Sequence, residues 1–358
     1  MSEYSADKII ESIAHVTTQA DRELLEASLM STLFELLKPK SISLYKIISE
    51  YDEKCCLIAT DITNGKLTFH DPCEPTSQFF IHQIPGLSQC IEREAPVFIE
   101  NKEEPEESYA YPLINRSGAI ISAFIIRGEG LSESENEKLL AGYFQIYRNY
   151  ACLLDDSEHD TLTSLLNRRT FDRDLERILA GWKRPSDQNI LSTQQQPRRR
   201  RCNEERVGNW LAVIDIDFFK KINDRYGHLY GDEVLLLLAN IMRKTFRCYD
   251  KLFRFGGEEF VVLLRSTSQK GAAAALERFR VTMESYDFPQ IGSVTVSIGY
   301  VEIADQGIAA VILGHADEAL YYAKNHGRNR VCFHADLIDQ GELTIDKPNI
   351  VESDIELF

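Results

Sequence analysis

Two short stretches of the chain bring carboxylates to places where a strand ends. In the first, the apolar run Leu211 to Ile214 closes on Asp215-Ile216-Asp217, the pattern of a buried strand that delivers acids at its end. In the second, LFRFGGEEFVVLL (252–264), two β-rich runs meet at Gly256-Gly257, residues free to take positive φ, with Glu258 and Glu259 at the exit of the turn. Strand alternation sets these two glutamates on opposite faces, so only one points where Asp215 points unless the hairpin twists. Acids at a strand end and on a neighbouring hairpin can hold Mg²⁺, which takes one or two carboxylates together with phosphate oxygens and water. Two such ions about 3.5–4 Å apart would clamp an in-line phosphoryl displacement. A carboxylate pair on its own is usually a solvated turn.

Four blocks give that chemistry a context: DTLTSLLNRR (160–169), DIDFFKKINDRYGHLYGDE (215–233), GGEEF (256–260) and ADEALYYAKNHGRN (316–329). In this order and spacing they resemble the GGDEF diguanylate cyclases, over about residues 158–334, with GGEEF as the Glu form of the motif. The resemblance implies condensation of two GTP into cyclic di-GMP and two pyrophosphates, with two Mg²⁺ or Mn²⁺ ions in each half-site. It implies Asp215, the Ile216 carbonyl and Glu258 as metal ligands, and Glu258 or Glu259 as acceptor of the proton from the attacking 3′-hydroxyl. Lys220 resembles the lysine of the terminal phosphates, where it would spread developing charge. Backbone N–H groups around Phe218 and Phe219 would cradle phosphate, and Lys324 and Arg328 would add further phosphate contacts.

Asn223 and Asp232 resemble the guanine readers, with His228 nearby. A carboxylate accepts from guanine N1–H and N2–H₂, whereas adenine offers an acceptor at N1, so this pairing selects GTP against ATP. Asp232 also reads as an N-cap ahead of VLLLLANIM. Arg247 and Asp250 form RxxD where the family places its product-inhibition site, with Arg278 as a second arm. Arginine forks suit guanine O6/N7 and a carboxylate suits its N1/N2 edge. Alone, RxxD is a surface ion pair. The alternative function is a catalytically weak GGDEF protein that acts as a cyclic di-GMP receptor, against which the retained Asp215, Glu258 and Glu259 argue.

The elements that must position these residues are legible in part. In the catalytic segment, 159–335, Asn167 can cap a helix whose apolar residues are Phe171, Leu175, Ile178 and Leu179. Within it 183–209 is polar, Gln-rich and arginine-bearing, a flexible insertion without the aromatic partners of a nucleic-acid site. Residues 1–131 read as two helices followed by strands at SISLYKII, CLIATDI, KLTFHD, APVFIE, SYAYPLI and AIISAFIIRG, a set that helices on one face of an antiparallel sheet would bury. This layout resembles GAF sensory domains, with a PAS-type sensor as the competitor and an unknown ligand or partner. Cys55, Cys56, Cys73, Cys90, His70 and His82 show no metal or haem spacing.

A linking helix over 132–158 carries two stripes. Leu139, Tyr143, Ile146, Tyr150 and Leu153 form an a/d seam, a possible coiled coil, beside Leu140, Phe144, Tyr147, Ala151 and Leu154. Either the helix packs on its own domain or it pairs two protomers. The resemblance implies one GTP in each catalytic domain, so a homodimer is expected. Residues 336–358 read as an acidic tail.

Composition bounds the rest. A net charge of −16 over 358 residues excludes a general nucleic-acid binder, and 44% apolar residues suffice for packed cores. No run reaches the length of a membrane span, the N-terminus lacks a signal-peptide pattern, and the eight cysteines are scattered, which suggests a cytoplasmic location. The expected class is α/β (α+β), with a catalytic palm built on a mainly antiparallel sheet.

Overall fold

Alternating apolar residues in the N-terminal strands bury both faces of one sheet, and helices cover each face. The structure, a computed structural model, describes residues 6–19, 21–50, 53–70, 77–100, 107–114, 118–179, 207–303 and 308–343. Two compact units divide between His159 and Asp160. The first contains α1 (Ala6–Thr17), α2 (Arg22–Leu37), β1 (Ser41–Glu50), β2 (Glu53–Thr63), β3 (Lys66–Phe69), β4 (Gln78–Phe80), α3 (Leu87–Arg93), β5 (Val97–Glu100), β6 (Glu107–Ile114), β7 (Ile120–Gly128) and α4 (Ser134–Glu158). The antiparallel sheet runs β3-β2-β1-β7-β6-β5, with β4 on β2.

Ile42, Leu44, Phe124 and Ile126 face a core shared with α1, α2 and α4, while Tyr45, Cys56, Ala123 and Ile125 face Ile81, Leu87 and Cys90. Helices therefore lie on both faces, because the segment 81–93, which the strand pattern did not mark, supplies α3 to the second face. Asp21 caps α2, its carboxylate accepting from the Leu24 N–H at 3.0 Å. Among the described residues no helix is long and apolar enough to cross a membrane.

Of the two stripes on α4, the one that packs into its own unit is Leu140, Phe144, Tyr147, Ala151 and Leu154, joined by Tyr143. Leu153 is 64% exposed and Leu139, Ile146 and Tyr150 are half-buried. Aromatic stacking explains the choice, since Phe144 lies flat on Tyr111 at 4.0 Å and Tyr147 meets Phe124 edge-on. Buried Glu26 accepts from the Tyr147 hydroxyl at 3.1 Å and from Arg22 Nε at 3.2 Å, and Arg22 reaches Asp155 at 2.8 Å, which ties α2 to α4.

The second unit contains β8 (Leu166–Asn167), α5 (Arg168–Leu179), β9 (Val207–Ile216), α6 (Phe219–Tyr226), α7 (His228–Thr245), β10 (Lys251–Gly256), β11 (Glu259–Ser268), α8 (Gln269–Ser285), β12 (Asp287–Phe288), β13 (Gly292–Ser293), β14 (Val296–Ile303), α9 (Ala309–Asn325), β15 (Val331–Phe333) and α10 (His334–Asp339). Its main sheet runs β15-β14-β9-β11-β10-β8, antiparallel at the centre and parallel at both edge pairs. Asn167 caps α5 as its sequence suggests, accepting from Thr170 N–H at 3.0 Å. Residues 183–206 of the polar insertion lie outside the described residues, and its last three residues, 207–209, already belong to β9. Residues 336–339 of the expected tail are helical in α10, and 344–358 lie outside the described residues.

The central strand β9 shows ten residues whose last seven are all buried, because Ala212 and Ile214 face one core while Leu211 and Val213 face the other. α9 lies directly on β14: a Cβ at Gly299 would stand 2.2 Å from the Ala316 carbonyl and the Leu320 nitrogen. That close approach brings the C-terminal half of α9, with Lys324, to the end of β9.

Candidate active site

β9 ends between β14 and β11, so Asp215 emerges from the sheet with neighbours on both sides. Its register partners are Ser297 on β14 and Glu259 on β11. Asp215 is 5% exposed, and Lys324 Nζ stands 2.8 Å from its Oδ2. Burial pushes the Asp215 carboxyl above its ordinary value despite Lys324, and Glu259 and Asp217 add to the push. Glu258 is raised too, first by burial and then by Asp215. Asp317, on α9, is raised by partial desolvation and then by Glu259.

The hairpin turns one residue later than its glycines suggest. β10 includes Gly256 and β11 begins at Glu259, so Gly257 and Glu258 form the loop, with φ of 152° at Gly256 and 52° at Gly257. A register irregularity between Arg254 and Gly256 accompanies the shift. Glu258 therefore lies in the turn, half-buried, and Glu259 is exposed on the first strand residue. Asp215 pushes on Glu258 and is pushed by Glu259, so both glutamates lie within its electrostatic reach, because strand alternation does not apply to a residue in the loop.

Arg254 fixes this turn. Its guanidinium donates to the Gly257 carbonyl through Nη2 at 2.8 Å and Nε at 3.1 Å, and to Asp160 Oδ1 through Nη1 at 3.0 Å. Burial alone would raise Asp160, but hydrogen bonds from Thr163 and Arg254 hold it below the ordinary carboxylate value. Sequence reading missed Arg254, whose contact to Asp160 spans 94 residues.

Asp217 is separate from the acidic cluster in role. Its carboxylate is 5% exposed and accepts from the Ser297 and Thr295 hydroxyls at 2.7 Å and from the Asn329 N–H at 3.0 Å. Phe218 follows in left-handed backbone, φ 58°, and caps α6. Its exposed ring lies under Lys221 Nζ at 4.2 Å and the Arg328 guanidinium at 4.5 Å from the ring centre. Phe219 is a core side chain and Lys220 is exposed on α6.

At the other end of α6, Asn223 Oδ1 is buried and has no hydrogen-bond partner among the described residues. It rests against Gly231, where a Cβ would stand 2.0 Å away. α7 starts at His228 with Gly227 as its cap, so Asp232 lies inside the helix, exposed, and does not serve as an N-cap. The helix begins earlier because Gly227 takes a φ of 88° that lets α6 and α7 join without a longer loop.

Arg247, Asp250 and Arg278, expected as a product-binding set, lie around the end of α7 and the turn that follows it. Arg278 donates to the Thr245 carbonyl at 2.8 Å, which brings it to the end of α7 two residues before Arg247. Asp250 accepts from its own turn, from Arg247 N–H at 2.9 Å, and from Arg265 N–H at 3.3 Å. Burial raises the Asp250 carboxyl above its ordinary value, with those N–H groups opposing. In the N-terminal unit His70 pairs with Asp61, His82 stacks on Phe80, Cys55, Cys56 and Cys90 are buried, and Cys73 lies outside the described residues.

The donor set at the end of β9 suits a divalent ion. Asp215 and Glu258, both disfavoured as charged groups by burial and by neighbouring carboxylates, gain from a nearby cation. Among the described residues no group of three or more His, Cys, Asp and Glu side chains forms a metal cluster, so backbone oxygen, phosphate or water would complete the shell.

Comparison with known proteins places these residues in a wider group. Residues 187–330 match the profile described as "Diguanylate cyclase, GGDEF domain". The chain is 39% identical over 175 residues to diguanylate cyclase DgcP of Pseudomonas aeruginosa, covering 48% of this chain and 23% of that protein. It is 47% identical over 126 residues to diguanylate cyclase A of Treponema denticola, covering 34% of each. A solved GGDEF domain of DgcB from Caulobacter crescentus, in complex with c-di-GMP, is 30% identical, spans 50% of this chain and 96% of its own, and superposes with a TM-score of 0.42. The chain thus spans about a quarter to a third of the length of these two curated relatives.

Proposed function

The chain carries a GGDEF domain of the diguanylate cyclase type, and from that premise we propose that it condenses two GTP molecules into cyclic di-GMP and two pyrophosphates. The observation that carries the proposal is the convergence of Asp215, Glu258 and Glu259 with Lys324 at the end of β9. Asp215, Glu258 and the Ile216 carbonyl would hold Mg²⁺ or Mn²⁺, two ions in each half-site. When bound, the ions neutralise phosphate charge and activate the attacking oxygen.

The chain's own groups do the rest. Lys220, Lys324 and Arg328 bind the phosphates, and the N–H groups around Phe218 and Phe219 point at them from the start of α6. Asn223, with its partnerless buried Oδ1, would read the base together with Asp232 and His228, and acceptors of this kind give guanine, with its N1–H and N2–H₂, an advantage over adenine. Glu258 or Glu259 takes the proton from the 3′-oxygen as that oxygen attacks the α-phosphorus of the facing GTP, and pyrophosphate leaves. Lys324 is held by Asp215 before substrate arrives, so its charge is already aimed.

One palm holds one GTP, so two copies must face each other. We infer a cytoplasmic homodimer in which the part of the α4 seam left outside its own core, exposed Leu153 and half-buried Ile146, contributes to pairing. Residues 1–131 would act as a GAF-like sensory domain for an unidentified ligand or partner, 132–158 as the linking helix, and 159–335 as the catalytic domain. Arg247, Asp250 and Arg278 would bind the product as an inhibitor, with Asp250 turning from its own backbone to the guanine edge.

The test is direct. Purified protein given GTP and Mg²⁺ should yield a product with the mass of cyclic di-GMP and none from ATP. GTP consumed to any other product, or left intact, refutes the proposal.

A further inference from the structure

Asp217 lies two residues beyond the acidic site, yet its carboxylate is turned away from that site into a set of three donors. Thr295 and Ser297, flanking the start of β14, donate their hydroxyls, and Asn329, just after α9, donates its backbone N–H. Both carboxylate oxygens are used, Oδ1 by Ser297 and Oδ2 by Thr295 and Asn329. A carboxylate 5% exposed is costly to bury, and three hydrogen bonds to the charged form offset that cost.

The turn that Asp217 holds is itself strained. Arg328 and Asn329 are consecutive non-glycine residues with φ of 60° and 46°, left-handed backbone that needs support from its surroundings. That support comes from two sides. Asp217 grips the Asn329 N–H, while the Asn329 side chain accepts from Arg280 Nη1 at 2.7 Å and donates to Glu284 at 2.7 Å. Arg280 is fixed in turn by Glu277 and Glu284. The outcome of holding the turn is visible at Arg328, whose guanidinium stands over the Phe218 ring, one residue along the chain from Asp217.

We propose that Asp217 is a positioning residue for nucleotide binding: it locks the Arg328–Asn329 turn so that the Arg328 guanidinium is set beside the Phe218–Lys220 phosphate loop before GTP arrives. This rests on the reading of that loop as the phosphate site. Asp217 therefore acts through Arg328 and touches neither the metal nor the substrate. The charge is what a carboxylate adds. An asparagine could turn its N–H₂ to the Ser297 hydroxyl and still accept from Thr295 and Asn329, but through neutral hydrogen bonds about half as strong, so its grip on the Asn329 N–H is weaker.

The experiment is equilibrium binding of the α,β-methylene analogue of GTP, in which the bond that would be cleaved cannot break, so turnover is irrelevant. Full-length wild type, Asp217→Asn, Arg328→Ala and the double variant are compared at fixed Mg²⁺, with thermal melting as the check on folding. Each single substitution should weaken binding about tenfold, the worth of one charge-assisted contact, and the double variant should be no more than about threefold weaker than either single. Thr295→Val removes one donor to the same Oδ2 and should weaken binding about threefold, which supplies the test if Asp217→Asn does not fold.

Wild-type-like affinity in Asp217→Asn, or in Thr295→Val where that variant stands in, overturns the inference, as do losses that simply multiply in the double variant. So does a defect that raised Mg²⁺ or Mn²⁺ repairs, since that would make Asp217 a metal ligand. Failure of the wild type to bind the analogue sinks the reading of the phosphate site instead, a different result from any of these.

Discussion

Glu26 in the N-terminal unit and Asp215 in the catalytic unit are both carboxylates buried beside a basic side chain, and they are treated in opposite ways. Glu26 meets only donors, the Tyr147 hydroxyl and Arg22 Nε, and Asp155 takes the remaining reach of Arg22. Asp215 has Lys324 but is also crowded by Glu259 and Asp217, and in turn it crowds Glu258. A closed network of this first kind joins helices, and its parts need nothing further. A crowded set at a strand end is incomplete until a cation arrives. The same contrast holds inside the catalytic unit, where Asp217 has its three donors and Asp215 does not.

Substitutions at the two carboxylates should separate these roles. Asp215→Ala should cut product formation by at least about a hundredfold, as loss of a principal charge-stabilising group does, while the melting temperature holds or rises because like-charge crowding is relieved. A loss of folding there would put Asp215 with the structural acids. Glu26→Ala should do the reverse. It leaves Tyr147 and Arg22 without their shared acceptor and should cost about 2–3 kcal/mol in the N-terminal unit, read as an earlier denaturant midpoint. Unchanged stability would dissolve the comparison from that side.

Acidity sharpens it further. Asp215 and Glu258 both have raised carboxyl values, so they take up protons at a higher pH than ordinary carboxylates, and the rate should fall as pH falls through that range. A bound divalent ion favours the charged forms and therefore lowers their apparent values, so raising Mg²⁺ should move the inflection to lower pH. A pH profile that ignores Mg²⁺ would count against shared ligation. The smallest expected effect concerns regulation. Arg247→Ala should weaken inhibition by added cyclic di-GMP and leave the uninhibited rate within about twofold, as for an exposed side chain away from the chemistry. Equal inhibition in both proteins would return Arg247 and Asp250 to a surface turn.

What was readable in the sequence followed from local pattern. The apolar run into Asp215, the glycines before Glu258 and the cap at Asn167 each declare themselves within a few residues. The exact turn residues did not, because the irregularity at Arg254 depends on pairing with β11. Asp217 read as one more acid at a strand end, since its partners lie 78, 80 and 112 residues away. On α4 two equal stripes were visible, and only the aromatic partners Tyr111 and Phe124 on the sheet decide which is buried. The buried thiols of Cys56 and Cys90, pushed up to about 12 by desolvation, behave as apolar residues, which spacing alone could suggest but burial explains.

The central claim is that the crowded acids at the end of β9 are a cation site completed by nucleotide. Mn²⁺ binding followed by electron paramagnetic resonance, in the presence of the α,β-methylene analogue of GTP, tests it most directly. Wild type should bind Mn²⁺ only when the analogue is present, and the Asp215→Ala, Glu258→Ala double variant should lose that binding while retaining a cooperative melt. Equal Mn²⁺ binding by the folded double variant would contradict the account.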